Sequence, residues 1–175
     1  MTEVGLVGKK IKHLSIIDLK FIDLTTERLE LIDLDINGLN DMHEYSVKNE
    51  FYRFLEFEPF KNIEETRNYL KKLIERSDSK SGYYWFIKSK KDKKIIGTFG
   101  VLNIDERKKS AEIGYGISPS YWGEGYFSEI LIVILDYLIH NLKFHRIWAK
   151  TQSNNIASIK GLQKIGFKKE GVLRD

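Results

Sequence analysis

The chain contains no cysteine, which excludes disulfides, thiolate metal sites and a cysteine nucleophile together. Proline is almost as scarce, with two residues against 13 glycines in 175, and no internal repeat or low-complexity stretch is visible. That composition excludes a disordered or fibrous polypeptide and leaves a chain long enough to bury a real core. No apolar run is long enough to cross a bilayer. The opening Met1-Thr2-Glu3-Val4 lacks the charged-then-apolar layout of a secretory signal, so the expectation is a cytoplasmic protein without a membrane partner. The four histidines, His13, His43, His140 and His145, have no ligand spacing, and no metal is expected. The net charge of +4 comes from bases interleaved with acids along the chain. Lys88-Ser89-Lys90-Lys91-Asp92-Lys93-Lys94 is the one basic cluster, and it reads as a solvated hairpin tip, not a nucleic-acid surface.

What is present is a regular succession of elements. Residues 27–35 alternate as a strand, and Ile36 to Lys48 reads as a helix. The aromatic segment Phe51 to Phe60 reads as an irregular lid or loop. Asn62 caps a helix from Ile63 to Arg76, with Glu64 and Glu65 in its first turn, where the helix dipole favours acids. Three strand-like runs follow, Tyr83 to Ser89, Lys94 to Ile104 and Ser110 to Ser118, and their polar turns predict an antiparallel meander. Tyr126 to Lys143 is apolar on nearly every side, as a deeply buried helix would be. Arg146 to Gln152 reads as a strand, Asn155 to Ile165 as a helix ended by Gly166, and Phe167 to Leu173 as a last strand. The order predicts a mixed α/β (α+β) domain.

Three features in this succession can carry chemistry. The first is Tyr121-Trp122-Gly123-Glu124-Gly125-Tyr126-Phe127-Ser128-Glu129, which joins a strand to the buried helix. A glycine-paired turn at a helix N-terminus offers unpaired N–H groups and close backbone approach, which suits an anion such as a diphosphate. A tight turn with no ligand explains the same residues. The second is the strand Ala111 to Ser118. Ala111, Ile113, Tyr115 and Ile117 share a core-compatible face, and Glu112, Gly114, Gly116 and Ser118 share the other. Two glycines beside a carboxylate leave a groove, although Glu112 could instead face solvent and pair with Lys108 or Lys109. The third is Asn154-Asn155-Ile156-Ala157-Ser158 leading to Gly166-Phe167, which taken alone is a capped helix with an ordinary C-terminal glycine.

Ala111-Glu112-Ile113-Gly114-Tyr115, Trp122-Gly123-Glu124-Gly125-Tyr126 and Asn155-x-x-Ser158 with Gly166-Phe167-Lys168 together resemble the GNAT superfamily of acetyl-CoA-dependent N-acetyltransferases. Thr26-Glu27-Arg28-Leu29-Glu30-Leu31 resembles the first strand of its RimJ/RimL, or ribosomal-protein N-acetyltransferase, branch. The resemblance implies the acyl-CoA N-acyltransferase fold, a central, mostly antiparallel mixed sheet flanked by helices. It implies acetyl-CoA as co-substrate, with backbone N–H groups of Trp122, Gly123, Glu124, Gly125, Tyr126, Phe127 and Ser128 on the diphosphate. Ile117 and Ser118 would border the pantetheine arm where two strands splay, with Asn155 nearby, and the Ile117 N–H would polarise the thioester carbonyl. The family's Arg or Gln three residues before the first glycine is Ser120 here. Glu112 matches the general base of parts of the family. A thiolate-protonating tyrosine of some members is Leu162 here, so Ser158 is the expected substitute.

The reaction so implied is acetyl transfer to a primary amine in a ternary complex. A protein N-terminal amine fits the branch; an amino sugar, polyamine or aminoglycoside, or a non-catalytic acyl-CoA sensor, are the alternatives. Tyr45, Phe51, Tyr52, Phe54 and Phe57 are candidates to line the acceptor pocket, or to be core residues. Similar family members continue into one more strand after the equivalent of Gly171 to Asp175. Residues 1–24 contain a Gly-Lys turn and an apolar run that resemble this strand, ahead of an acetyltransferase domain over 25–175. His13 to Phe21 is thus expected beside Phe167 to Leu173, as in a circular permutation, within one subunit or exchanged in a homodimer.

Overall fold

A computed structural model of the chain describes residues 22–55 and 57–173. Among the described residues six strands form one sheet whose spatial order is also their chain order: β1 Leu24–Thr25, β2 Leu29–Asp33, β3 Tyr83–Ser89, β4 Ile95–Asp105, β5 Ser110–Ile117 and β6 Arg146–Trp148. All pairs are antiparallel except β5–β6, which is parallel. The expected meander of β3, β4 and β5 is present, and the mixed, mostly antiparallel sheet with flanking helices is the fold that the resemblance implied. A parallel pair needs a crossover, and α4, Tyr126–Asp136, supplies it.

Each face of the sheet has its own core. On one side Ile130, Leu131 and Ile134 of α4 pack over Leu29, Leu31, Ala111 and Ile113. On the other, Leu39, Met42 and Tyr45 of α1 (Leu39–Ser46) meet Leu70 and Leu73 of α3 (Ile63–Asp78) over Tyr84 and Phe86. Burying each of those leucines stabilises the layer by about 1.5–3 kcal/mol. Alternation on β3 therefore sends Trp85 and Ile87 to one core and Tyr84 and Phe86 to the other, which is why the strand is apolar from Tyr83 to Ile87. The Asn62 side chain accepts from Glu65 N at 3.0 Å and starts α3 where its cap predicts.

Four expectations need correction. The aromatic segment begins with a helical turn, α2 Asn49–Tyr52, before it becomes irregular. The buried helix keeps α geometry only to Asp136, then widens into a π-type turn, Tyr137–Asn141, and Ile132 and Ile139 on its outer side are exposed. The strand expected over Arg146 to Gln152 stops at Trp148, because its ladder with β5 ends there. Phe167 to Leu173 forms no strand among the described residues, and Leu173 is 80% exposed. A strand needs a partner for its N–H and C=O groups. The partner expected for it, His13 to Phe21, lies outside the described residues.

Candidate active site

The turn between β5 and α4 is built for open backbone. Gly123 and Gly125 have φ of +83° and +78°, the left-handed region that only glycine enters without strain. A Cβ at Gly123 would meet nothing within 4 Å, and at Gly125 its nearest neighbour would be Arg28 Nη2 at 3.7 Å. The first bond of α4 runs from Glu129 N to Gly125 O at 3.2 Å. The N–H groups of Tyr126, Phe127 and Ser128 precede it and have no acceptor within the helix. Trp122 differs from its expected role: its amide donates to Pro119 O at 3.2 Å and its indole Nε1 to Ile117 O at 2.7 Å. Residues 123–128 are thus the donors that a ligand can reach. Ser120, at the position of the family's Arg or Gln, accepts a hydrogen bond from Lys48 Nζ at 3.0 Å.

Arg28, from the β1–β2 connection, braces the same turn. Its Nη1 donates to Glu124 O at 2.9 Å, its Nε to Glu129 Oε2 at 2.7 Å, and its guanidinium lies 4.4 Å from the centre of the Tyr126 ring. Glu129 also accepts from the Thr26 hydroxyl and from Arg28 N. Burial opposes ionisation of Glu129, but the Thr26 and Arg28 hydrogen bonds outweigh it and hold the carboxyl below its ordinary range.

Beside this turn the sheet opens. The β5–β6 ladder pairs Ser110 with Arg146, Ala111 with Ile147 and Glu112 with Trp148, and goes no further. On its other side β5 stays paired with β4 as far as Ile117. Ser118 N donates to Ile96 O at 2.7 Å, toward β4, so by alternation the N–H of Ile117 faces the open edge. The Ser118 N–H is therefore turned away from the open edge, and Ile117 supplies the backbone donor there.

Glu112 sits where the opening starts. Its side chain is buried, the residue 9% exposed, and Asn103 Nδ2 donates to Oε2 at 2.6 Å. Asn103 has φ of +44° and lies at a register shift between Leu102 and Asp105, a bulge that aims its amide at the carboxylate. The alternative pairing with Lys108 does not form; Lys108 pairs with Asp105 at 3.5 Å. The face that Glu112 shares with the glycines is no open groove throughout. A Cβ on Gly116 would come 2.7 Å from Phe51 Cζ, so the Phe51 ring roofs that end.

Across the opening, α5 (Ile156–Lys164) brings Ser158 to β5. The Ser158 and Tyr115 hydroxyls lie 2.6 Å apart, and Asn155 Oδ1 accepts from Ser158 N at 3.1 Å. Burial raises the Tyr115 phenol and the Ser158 bond opposes it, so the phenol stays neutral at physiological pH. Phe127 lies against Tyr115 at 4.3 Å between ring centres, and Leu162 is buried in the core. Asn155 is thus first of all a cap.

The aromatic candidates divide. Tyr45, Phe51 and Tyr52 form a continuous contact series, at 4.9 and 5.2 Å between centres, that continues through Phe60 to Tyr69. Tyr45 is 2% exposed and burial pushes its phenol far up, as for a core residue. Phe54 lies instead under Arg53, and Phe57 is exposed. Phe51 is the ring of this group that meets the β5 face. Nothing in the sequence singles out Arg28, Lys48 or Asn103, and Tyr115 reads there as a core residue. Arg28 and Tyr115 lie inside family-like segments, but nothing in their spacing tells that a side chain crosses to another element.

A sequence profile described as an acetyltransferase (GNAT) domain matches residues 28–168. An uncharacterized N-acetyltransferase, p20 of Bacillus licheniformis, is 32% identical over 152 residues, which cover 87% of this chain and 85% of that protein. The crystal structure of a GNAT-family acetyltransferase from Bacillus anthracis superposes with a TM-score of 0.75 at 25% identity, covering 86% of each chain. RimL, a ribosomal L7/L12 alpha-N-protein acetyltransferase solved with coenzyme A, superposes with a TM-score of 0.77 at 22% identity, again over 86% of each.

Proposed function

The chain belongs to the GNAT acetyltransferases and is an N-acetyltransferase, and from that premise we propose a RimJ/RimL-type enzyme that acetylates a protein N-terminal amine from acetyl-CoA. The observation that carries the reading is the place of Glu112, a buried carboxylate held by Asn103 where the β5–β6 ladder opens. Likeness to an alpha-N-protein acetyltransferase supports the choice of acceptor.

The backbone N–H groups of residues 123–128 hold the diphosphate, and the free edge of β5 receives the pantetheine arm. The Ile117 N–H on that edge faces the thioester oxygen as it gains charge. Glu112 accepts a proton from the acceptor ammonium, directly or through water, and the freed amine attacks the acetyl carbon. An α-amino group, with a reference pKa of about 7.7–8.0, asks less of this base than a lysine at about 10.4. As the C–S bond breaks, the attacking nitrogen gives up its second proton, which the Ser158 hydroxyl relays to the departing sulfur, so that the amide and the thiol leave neutral and the serine is unchanged.

Release of free coenzyme A, measured over panels of N-terminal peptides, amino sugars, polyamines and aminoglycosides, tests the acceptor. Turnover on N-terminal peptides above all small amines is expected. Preference for any small amine would overturn the assignment.

A further inference from the structure

Glu124 stands between two left-handed glycines, and a peptide unit bounded by glycine can rotate at low cost. Rotation of the Glu124–Gly125 unit would exchange its N–H and its C=O. In one orientation the turn offers a donor to an anion, and in the other it offers an oxygen that repels one. Arg28 Nη1 holds the Glu124 oxygen at 2.9 Å. Because the peptide is planar and trans, the Gly125 N–H then points away from the guanidinium.

We propose that Arg28 is a positioning residue of the glycine turn: its grip on the Glu124 carbonyl keeps the Gly125 N–H aimed at the diphosphate. The proposal rests on the diphosphate reading of the turn given above. The guanidinium is itself firmly placed, by Glu129 Oε2 at 2.6 Å from Nη2 and by the Tyr126 ring beneath it. Glu129 gains a second use from the same contact. A lone carboxylate in the first turn of α4 would repel an incoming anion, and Arg28 offsets its charge. Lysine cannot replace this arginine, since one ammonium does not reproduce the fork that spans Glu124 and Glu129.

The test compares two donors, acetyl-CoA and S-acetylpantetheine, which carries the same thioester without a diphosphate. In Arg28→Ala the KM for acetyl-CoA should rise roughly tenfold, the scale of one hydrogen bond to a charged group, with kcat within about twofold of wild type. The kcat/KM for S-acetylpantetheine should change less than about twofold, a split that general loosening of the fold would not produce. Arg28→Lys should not restore the KM. If Arg28→Ala fails to fold, Arg28→Lys keeps the charge beside Glu129 without the fork and should by itself raise the acetyl-CoA KM about threefold on the same scale. Equal losses on both donors, or an unchanged acetyl-CoA KM in the folded variant, would overturn the proposal. Gly125→Glu in the same assay separates the two readings. Lost acetyl-CoA binding there with a wild-type Arg28→Ala removes only the positioning role, whereas wild-type binding in Gly125→Glu removes the diphosphate site and the proposal with it.

Discussion

The two long edges of β5 carry the same backbone and are treated in opposite ways. Toward β4 the register runs unbroken from Gly97 opposite Ile117 to Leu102 opposite Glu112. Toward β6 it stops after three pairs, and the chain beyond Trp148 turns off into irregular structure before α5. A strand anchored along one edge is held in place by that ladder, so its other edge can remain unpaired without fraying. The comparison teaches that the site is a gap in a ladder, with a carboxylate at the closed end and a glycine turn at the open one.

The sharpest way to break the comparison is at the open end. Gly125→Glu forces a side chain into φ of +78° and puts a negative charge in the mouth of the turn. Acetyl-CoA binding, followed by calorimetry, should disappear, while the melting temperature falls only by the few degrees that ~1–2 kcal/mol of backbone strain implies. At the closed end, Glu112→Gln keeps the side-chain shape and removes the base. Turnover should drop ~10²–10⁴-fold with acetyl-CoA affinity intact, and the deficit should shrink as rising pH deprotonates the acceptor unaided. A mutant pH–rate profile parallel to wild type would take Glu112 out of the mechanism. A smaller effect sharpens the roofed face between the two ends. Gly116→Ala presses its methyl on the Phe51 ring, whereas Gly114→Ala approaches only Leu102 Cδ1, at 3.2 Å. If Phe51 lines the acceptor path, Gly116→Ala should raise the acceptor KM several-fold, the ~1 kcal/mol scale of a displaced ring, and Gly114→Ala should stay near wild type. Equal values for the two would place Phe51 in the core alone.

Most of this architecture is legible in the sequence because it is local. The strand β3, the capped start of α3 and the glycine turn follow from periodicity, one Asn and two glycines. What escapes is whatever depends on a partner distant in the chain. Strand ends are an example: Arg146 to Gln152 has strand composition throughout, yet only three residues find a ladder. The same holds for the site. Glu112 could be picked from its own strand, but Asn103 reaches it through a bulge on β4. Tyr115 reads as a core residue on an apolar face, and its hydroxyl acquires meaning only once α5 lays Ser158 across the gap. Arg28 is one cation among the 29 lysines and arginines until the fold sets it beside Glu124.

Trp122 has a consequence of another kind. The residue is 47% exposed, yet its indole is tethered by Nε1 to the Ile117 carbonyl at the open edge, while Trp85 is buried at 2%. Indole emission responds to local polarity and to nearby quenchers, so one of the three tryptophans reports from the rim of the gap and another serves as a silent internal reference. The molecule thus carries its own optical probe. The proposed binding of acetyl-CoA at this edge can therefore be tested by stopped-flow fluorescence, with no label attached and no acceptor present, and an emission that does not change on mixing would count against it.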